Sequence, residues 1–453
     1  MTEVNQETLI TALDQALLAE VRTISSVLRQ AGFDSWVVGG CVRDVALGLL
    51  NPEQPRKTGD FDLATSAEPE QVQALFRKVI PTGIKHGTVT VVLSKQHFEV
   101  TTLRGERGHT DGRRPDEVFF VNDITADLAR RDFTVNAMAY SVEDRTLHDP
   151  FSGLSDLVAG KLRAVGDAQA RFLEDGLRVL RCARFCATLN FEIESTTAAA
   201  IVPSLSSFKK VAQERVQQEW WKALSSRHPG QFLNAILEHG LLAITAPELF
   251  TDRDSLLPSA VAAQLLDQAP RDPIYRLALL VVAGSAKKEN TAARLQVAAY
   301  NAQALGARLK LSREQQHELL RLAQHHVLPD SLLTDPHPAL ARRYLVQVGR
   351  EHLESILRMQ RDVAAADHLR TDHAALQAAA QQVIEAEAAS DAAVHLKELK
   401  LNGQDLIELG VPKGRTLGEV LSALLEVVLD DPAQNEREAL KAHALRLLAP
   451  PQA

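Results

Sequence analysis

Cysteine is scarce. Three residues in 453 cannot build a disulfide framework, and a reducing cytosol is the natural compartment for such a chain. Cys182 and Cys186 lie one helical turn apart. No His or Cys pair at ligand spacing accompanies them, so they read as small residues of a packed helix and not as a metal site. No apolar run reaches membrane-spanning length. Met1 to Gln30 is acidic and helical in period, without the basic start and apolar centre of a signal peptide. A cytoplasmic protein with no membrane partner is expected. Positive charge is not in excess either. A net charge of -8 argues against a generally basic nucleic-acid coat, while leaving room for a local basic groove.

A hydrophobic share of 45% allows a real core, and the length calls for two or more domains. Two textures divide the chain. Residues 31–165 mix short β-rich runs with turns: Ser35–Val38, Asp60–Thr65, Thr88–Leu93, Phe98–Leu103, Val118–Val121 and Met138–Val142. A helix is expected over Pro69–Val79. This predicts a small α/β domain on a mixed sheet. After about residue 165 the strands stop, and Ala, Leu, Gln, Glu and Arg recur at helical spacing. That stretch is too long for one core. The resulting fold class is α+β: an N-terminal helix (1–30), an α/β head (31–165), then helical segments over 166–230, 231–335 and 336–453.

Gly39-Gly40-Cys41-Val42-Arg43-Asp44 follows the apolar run Trp36-Val37-Val38. A strand that enters a glycine turn and then a helix leaves free backbone N–H groups at the helix N-terminus, a site for phosphate. Sixteen residues beyond Asp44 stands Asp60-Phe61-Asp62. Residues two apart on a strand share a face, so Asp60 and Asp62 point out while Phe61 and Leu63 point in. Two carboxylates beside a phosphate cradle suit a pair of divalent cations bridging a triphosphate. The chemistry this order implies is nucleotidyl transfer from a nucleoside triphosphate, with Mg²⁺ as the cofactor. Glu99, in Phe98-Glu99-Val100, completes a carboxylate triad if its strand neighbours that of Asp62.

Arg131 can pair with phosphates, and Asp132 and Asn136 are i,i+4 partners placed for a ribose if their segment is helical. Glu174 to Phe185 is the most specific stretch. Phe172, Leu173, Leu177 and Leu180 make a core stripe, while Asp175, Arg178, Arg181 and Arg184 recur every three residues on another face. A solvated ion-pair face has the same pattern. A carboxylate beside a guanidinium also offers an acceptor next to donors, which matches the amino group and ring nitrogen of cytosine and of adenine. Uracil and guanine put a carbonyl where Asp175 needs a donor. A mispaired buried group costs about 1–3 kcal/mol, so such a site selects C and A without a template.

Taken in order, these motifs resemble the bacterial class II tRNA nucleotidyltransferase and poly(A) polymerase family, the CCA-adding enzymes and their relatives. The resemblance covers the glycine turn, Asp60–Thr65, Pro81–Thr88, Arg130–Ala139, Asp149–Leu157, Gly160–Asp167, Glu174–Phe185 and Gln213–Val216, and less specifically Leu401–Ile407 and Asn435–Leu440. It implies a head, neck, body and tail, with the base-reading helix in the neck and an RNA-binding tail. It implies addition of CCA to the tRNA 3′ end from CTP and ATP. Asp60 and Asp62 would bind metal and Glu99 would be the third acid. Gly39, Gly40, Arg43 and Arg131 would hold triphosphate, with Asp132 and Asn136 at the ribose. Asp175 and Arg178 would read the base, and Arg181 and Arg184 would bind phosphate or support the pocket. The tRNA would meet a local basic face such as Lys209, Lys210, Arg215 and Lys222. The loop from about Arg104 to Phe120 is present at full length, which speaks against a CC-only enzyme, although His109 stands where relatives often carry an aromatic residue. No His-Asp phosphohydrolase pattern occurs, so no appended phosphatase domain is expected. An A-adding enzyme, a poly(A) polymerase and a non-catalytic RNA-binding protein remain as alternatives.

Overall fold

The computed structural model describes residues 5–53, 61–84, 87–107, 117–121, 123–250, 259–285, 291–366 and 371–448. The chain forms two compact units, Met1–Pro247 and Glu248–Ala453.

The first unit opens with α1 (Gln6–Ala16) and α2 (Ala19–Gln30), two helices where the periodicity suggests one, because Leu17 and Leu18 adopt extended backbone. Then come β1 (Ser35–Val38), α3 (Gly40–Leu50), β2 (Asp62–Thr65), α4 (Pro69–Leu75), β3 (Val79–Gly83), β4 (Thr88–Leu93) and β5 (Gln96–Thr102). Among the described residues β6 (Arg104–Arg107) and β7 (Glu117–Phe120) pair only with each other. α5 (Ile124–Ala129), β8 (Ala139–Ser141) and β9 (Thr146–His148) follow. The main sheet is mixed, in the order β3-β4-β5-β2-β1-β8-β9. β1 lies near its middle and is buried on both faces. Trp36, Val38, Ala64, Leu103, Leu128 and Ala137 form one side of its core.

The helix expected over Pro69–Val79 stops at Leu75, and β3 takes over at Val79 as an edge strand. Pro81 fits there, since an edge strand can do without one ladder donor. Lys161–Leu162, at the end of the head, pairs in parallel with Glu192–Ile193, a short strand beyond the point where the sequence suggests that strands stop. α6 (Gly153–Ala159), α7 (Ala168–Glu174) and α8 (Leu177–Leu189) lead into α9 (Ser195–Ile201), α10 (Leu205–Phe208), α11 (Gln213–Leu224) and α12 (Pro229–Glu238), with α8 packed on α11 and α12. Phe172, Leu177 and Leu180 are buried as the stripe predicts, but Leu173 is 42% exposed. The helix breaks at Asp175-Gly176, which turns the residues on either side out of a single stripe.

The second unit is helical throughout its described residues. Pro273–Ala283 is buried along almost its whole length, and Thr291–Arg308 packs against Arg313–His325. Pro338–Val348 packs on Thr371–Ala389 and on Arg415–Asp430. Among the described residues no helix is long and apolar enough to cross a membrane.

Candidate active site

β1 runs straight into Gly39, whose φ of +74° and ψ of -122° suit only glycine. A Cβ at Gly39 would lie 2.7 Å from Arg131 Nη1. The turn therefore needs glycine for its conformation, and any side chain there would push the Arg131 guanidinium aside. Gly40 begins α3, and no side chain caps that helix start, so its first amides and positive dipole end remain available to an anion. One turn in, Arg43 donates to Asp44 Oδ1 at 2.9 Å and to Asn136 Oδ1 at 2.6 Å.

Beside this cradle β2 lies between β1 and β5. Asp62 pairs in register with Val38, and Leu63 with Val100 of the parallel β5. Asp62 and Glu99 therefore precede the same pair on neighbouring strands. Both are exposed, while Phe61, Leu63, Phe98 and Val100 are buried at 5% exposure or less. The alternation read from the sequence holds here. Asp60 lies outside the described residues. Among the described residues no three acidic, His or Cys side chains converge as a metal cage. The oxygen donors of Asp62 and Glu99 fit a hard divalent cation, and Mg²⁺ ordinarily takes one or two carboxylates and fills its other positions with phosphate and water.

After α5 the chain bends, is extended at Phe133 and then makes one 3₁₀ turn, Thr134–Asn136, and not the helix considered above. The Asp132–Asn136 contact forms nonetheless, with Asn136 Nδ2 donating to Asp132 Oδ1 at 3.0 Å. Asp132 also accepts from Arg181 Nε at 2.8 Å. Burial raises the Asp132 pKa, but Arg181 and Asn136 outweigh it and hold the carboxyl far below the usual range. Asp127, 2% exposed, accepts from Arg130 at 2.7 Å and from Arg131 at 3.2 Å. Burial works against its ionised form, and the two guanidiniums restore it and lower its pKa.

Asp175 sits at the junction between α7 and α8 in extended backbone, not on the helix that carries Arg178. The junction is set from elsewhere: a Cβ at Gly176 would meet the Ser207–Phe208 backbone at 2.6 Å. Arg215, expected on an RNA-binding face, instead holds Asp175 with two bonds, at 3.1 and 2.7 Å. Arg178 donates to Glu174 Oε2 at 2.7 Å and to the carbonyls of Arg171 and Arg130 at 2.9 and 2.8 Å. Arg184 is buried and donates to Glu219 Oε2 at 2.6 Å. Burial lowers its pKa. Burial also disfavours charge on Arg181, yet Asp132 and Glu219 raise its pKa above the usual value. Cys182 and Cys186 are buried in the same helix, and burial pushes the Cys186 thiol up to about 12.

These elements enclose one pocket of 570 Å³. Gly39, Gly40, Arg43, Asp62, Glu99, Arg131, Asp132, Asn136, Asp175, Arg178, Arg181 and Arg184 all line it. Every expected site residue among the described ones is thus brought together. Asp127, Arg130, Phe185 and Arg215 line it too. Sequence reasoning gave none of these four a place there. The one available signal was Asp127 standing three and four residues before a pair of arginines. Among the described residues eight arginines and five carboxylates line the pocket.

Residues 35–163 match the family described as "Poly A polymerase head domain", 190–252 the one described as "Probable RNA and SrmB- binding site of polymerase A", and 295–444 the one described as "tRNA nucleotidyltransferase domain 2 putative". The CCA-adding enzyme of Limosilactobacillus fermentum is 33% identical over 94% of this chain and 96% of its own length. That of Levilactobacillus brevis is 44% identical over an alignment spanning about half of each protein, 49% of this chain and 53% of that enzyme. The crystal structure of the Bacillus stearothermophilus CCA-adding enzyme in complex with CTP superposes with a TM-score of 0.70 at 30% identity, covering 95% of this chain and 97% of that one. The Thermotoga maritima CCA-adding enzyme complexed with tRNA shares the fold, with a TM-score of 0.58 at 20% identity over 98% of this chain and 99% of that one. An alignment that runs nearly end to end at one-third identity, over a head of matching fold, shows that the chain belongs to the CCA-adding enzyme family of tRNA nucleotidyltransferases.

Proposed function

We infer that the protein adds C and A nucleotides, as CCA, to the 3′ end of tRNA from CTP and ATP, without a template. One observation carries this: a pair of exposed carboxylates, an uncapped helix N-terminus and the Asp175–Arg178 pair share a single arginine-rich pocket. Relatives named CCA-adding enzyme, one of them solved with CTP, support the same reading.

Asp60, Asp62 and Glu99 would hold Mg²⁺, which when bound neutralises phosphate charge and activates the 3′-hydroxyl of the RNA for in-line attack. The N-terminus of α3 with Gly39, Gly40, Arg43 and Arg131 binds the triphosphate, and Asp132 and Asn136 contact the ribose. Arg181 and Arg184 bind phosphate or support the pocket wall. For base choice, hydrogen-bonding capacity decides. The Asp175 carboxylate accepts two bonds from Arg215 and one from the Leu177 amide. A carboxylate has about four acceptor sites, so one remains for the amino group of cytosine or adenine. Arg178 spends three of its five N–H groups on Glu174 and two carbonyls, leaving donors for the neighbouring ring nitrogen. Both groups are held before the base arrives, which lowers the cost of ordering them.

The head (31–165), preceded by the N-terminal helices (1–30), carries the transfer chemistry, and 166–230 the base-reading neck. The helical segments 231–335 and 336–453 serve as body and RNA-gripping tail. A cytoplasmic location accords with this work on tRNA. The deciding experiment offers purified protein and Mg²⁺ each triphosphate singly, with tRNA lacking its 3′ end or ending in CC. C on the first and A on the second support the reading. A onto CC alone would make it an A-adding enzyme, and no incorporation would leave only an RNA-binding role.

A further inference from the structure

Phe185 gathers three cations from two different elements. The guanidinium carbons of Arg184, Arg43 and Arg181 lie 3.5, 5.5 and 5.5 Å from its ring centre. Arg181 and Arg184 belong to α8, and Arg43 belongs to α3, the helix that starts at the glycine turn. The ring is 4% exposed. Phe133 meets it edge-on, with centroids 5.5 Å apart at 80°.

Three guanidiniums this close repel one another, and the repulsion grows as water is excluded. Asp44, Asp132 and Glu219 each pair with one of these guanidiniums and take up part of that repulsion. An aromatic face attracts cations through its quadrupole and subtracts nothing from the net charge. Among the described residues that line the pocket arginines outnumber carboxylates, and Arg43 stays beside the helix start. We propose that Phe185 is a positioning residue for triphosphate binding, holding Arg43, Arg181 and Arg184 together as one preorganised anion site. This rests on the reading of the pocket as a nucleoside triphosphate site.

The test replaces Phe185 site-specifically with mono-, di- and trifluorophenylalanine, which drain the ring face of electron density at nearly constant shape, and separately with leucine. The probe is inorganic tripolyphosphate, titrated calorimetrically into the full-length protein, with thermal melting recorded for each variant. Affinity should fall stepwise along the series, by about 5- to 30-fold at its end, the fold-change that corresponds to about 1–2 kcal/mol of lost cation–π interaction. KM for CTP and ATP should rise together by the same factor, with the choice between them unchanged. Equal affinity across the fluorinated series overturns the proposal, also when the leucine variant binds poorly, because Phe185 then acts by packing alone. Should the leucine variant not fold, the fluorinated series still decides. Wild-type protein that binds no tripolyphosphate overturns both this proposal and the reading beneath it. Protein that follows the graded series but adds nothing to tRNA overturns only the functional reading.

Discussion

Asp175 and Arg215, 40 residues apart in sequence, form a two-pronged ion pair in which Arg215 Nη1 and Nη2 each donate to a different carboxylate oxygen. The pair fixes the plane of the carboxylate proposed to read the base. A lysine keeps the charge but not the fork. Arg215→Lys is expected to lower discrimination against UTP and GTP by about 5- to 30-fold, roughly 1–2 kcal/mol, with a smaller loss of rate on CTP and ATP. Competition among the four triphosphates checks this, and unchanged selectivity would count against a positioning role.

Asp62 and Glu99 stand side by side on neighbouring strands and face the pocket. Even partners behind metal ligands are worth about 10- to 100-fold, so Asp62→Asn should reduce incorporation by at least about 100-fold, and Asp60→Asn likewise. Binding of tRNA, measured by gel shift, should persist. Incorporation near the wild-type level would remove these carboxylates from the metal site.

Gly39→Ala meets two obstacles at once, a backbone conformation that L residues avoid and the guanidinium of Arg131 at 2.7 Å. The strain amounts to about 1–3 kcal/mol. The melting temperature should fall, and KM should rise for CTP and ATP alike, since the damage lies at the triphosphate and not at the base. A variant with raised KM for only one nucleotide would contradict this.

His326, in the second unit, is 1% exposed, and its Nδ1 lies 2.8 Å from the Ala323 carbonyl. Burial pushes its pKa down to about 4, and the cations of Arg294 and His325 add to the shift. The unfolded chain therefore takes up this proton at higher pH than the folded one. The neutral ring's contribution is fully present above about pH 6.5 and is lost progressively as pH falls toward 4. Melting curves of wild type and His326→Gln should converge over that window by up to about 3 kcal/mol. Curves that stay parallel would show that His326 does not titrate this way.

What could be read from the sequence was local. Trp36–Val38 entering Gly39-Gly40 declared the strand, the turn and the helix. The alternation around Glu99 named its outward face, as did that around Asp62. Contacts between distant segments stayed hidden. At the kink Asp175-Gly176 the Ser207–Phe208 backbone, some thirty residues away, comes so close to Gly176 that no Cβ fits there. Read as one helix, the segment put Asp175 on a stripe with Arg178. The fold still gathers both into one pocket, by a different route. Arg215 looked like one more cation for RNA, because nothing in its own neighbourhood names Asp175. β3 escaped notice because an edge strand carrying Pro81 shows no alternation of apolar residues.

The central claim is that protein side chains alone choose the nucleotide, and the most direct measurement is selectivity in a folded Asp175→Ala protein. Wild type and variant are given tRNA lacking its 3′ end together with all four triphosphates in competition. Removing the carboxylate should slow CTP and ATP and relax exclusion of UTP and GTP, with Arg178→Ala slowing CTP and ATP together. If the face were only a surface ion-pair ladder, worth about 0.2–0.5 kcal/mol per pair, both variants would keep their rate and their choice. Unchanged selectivity in the folded Asp175→Ala protein would contradict the account.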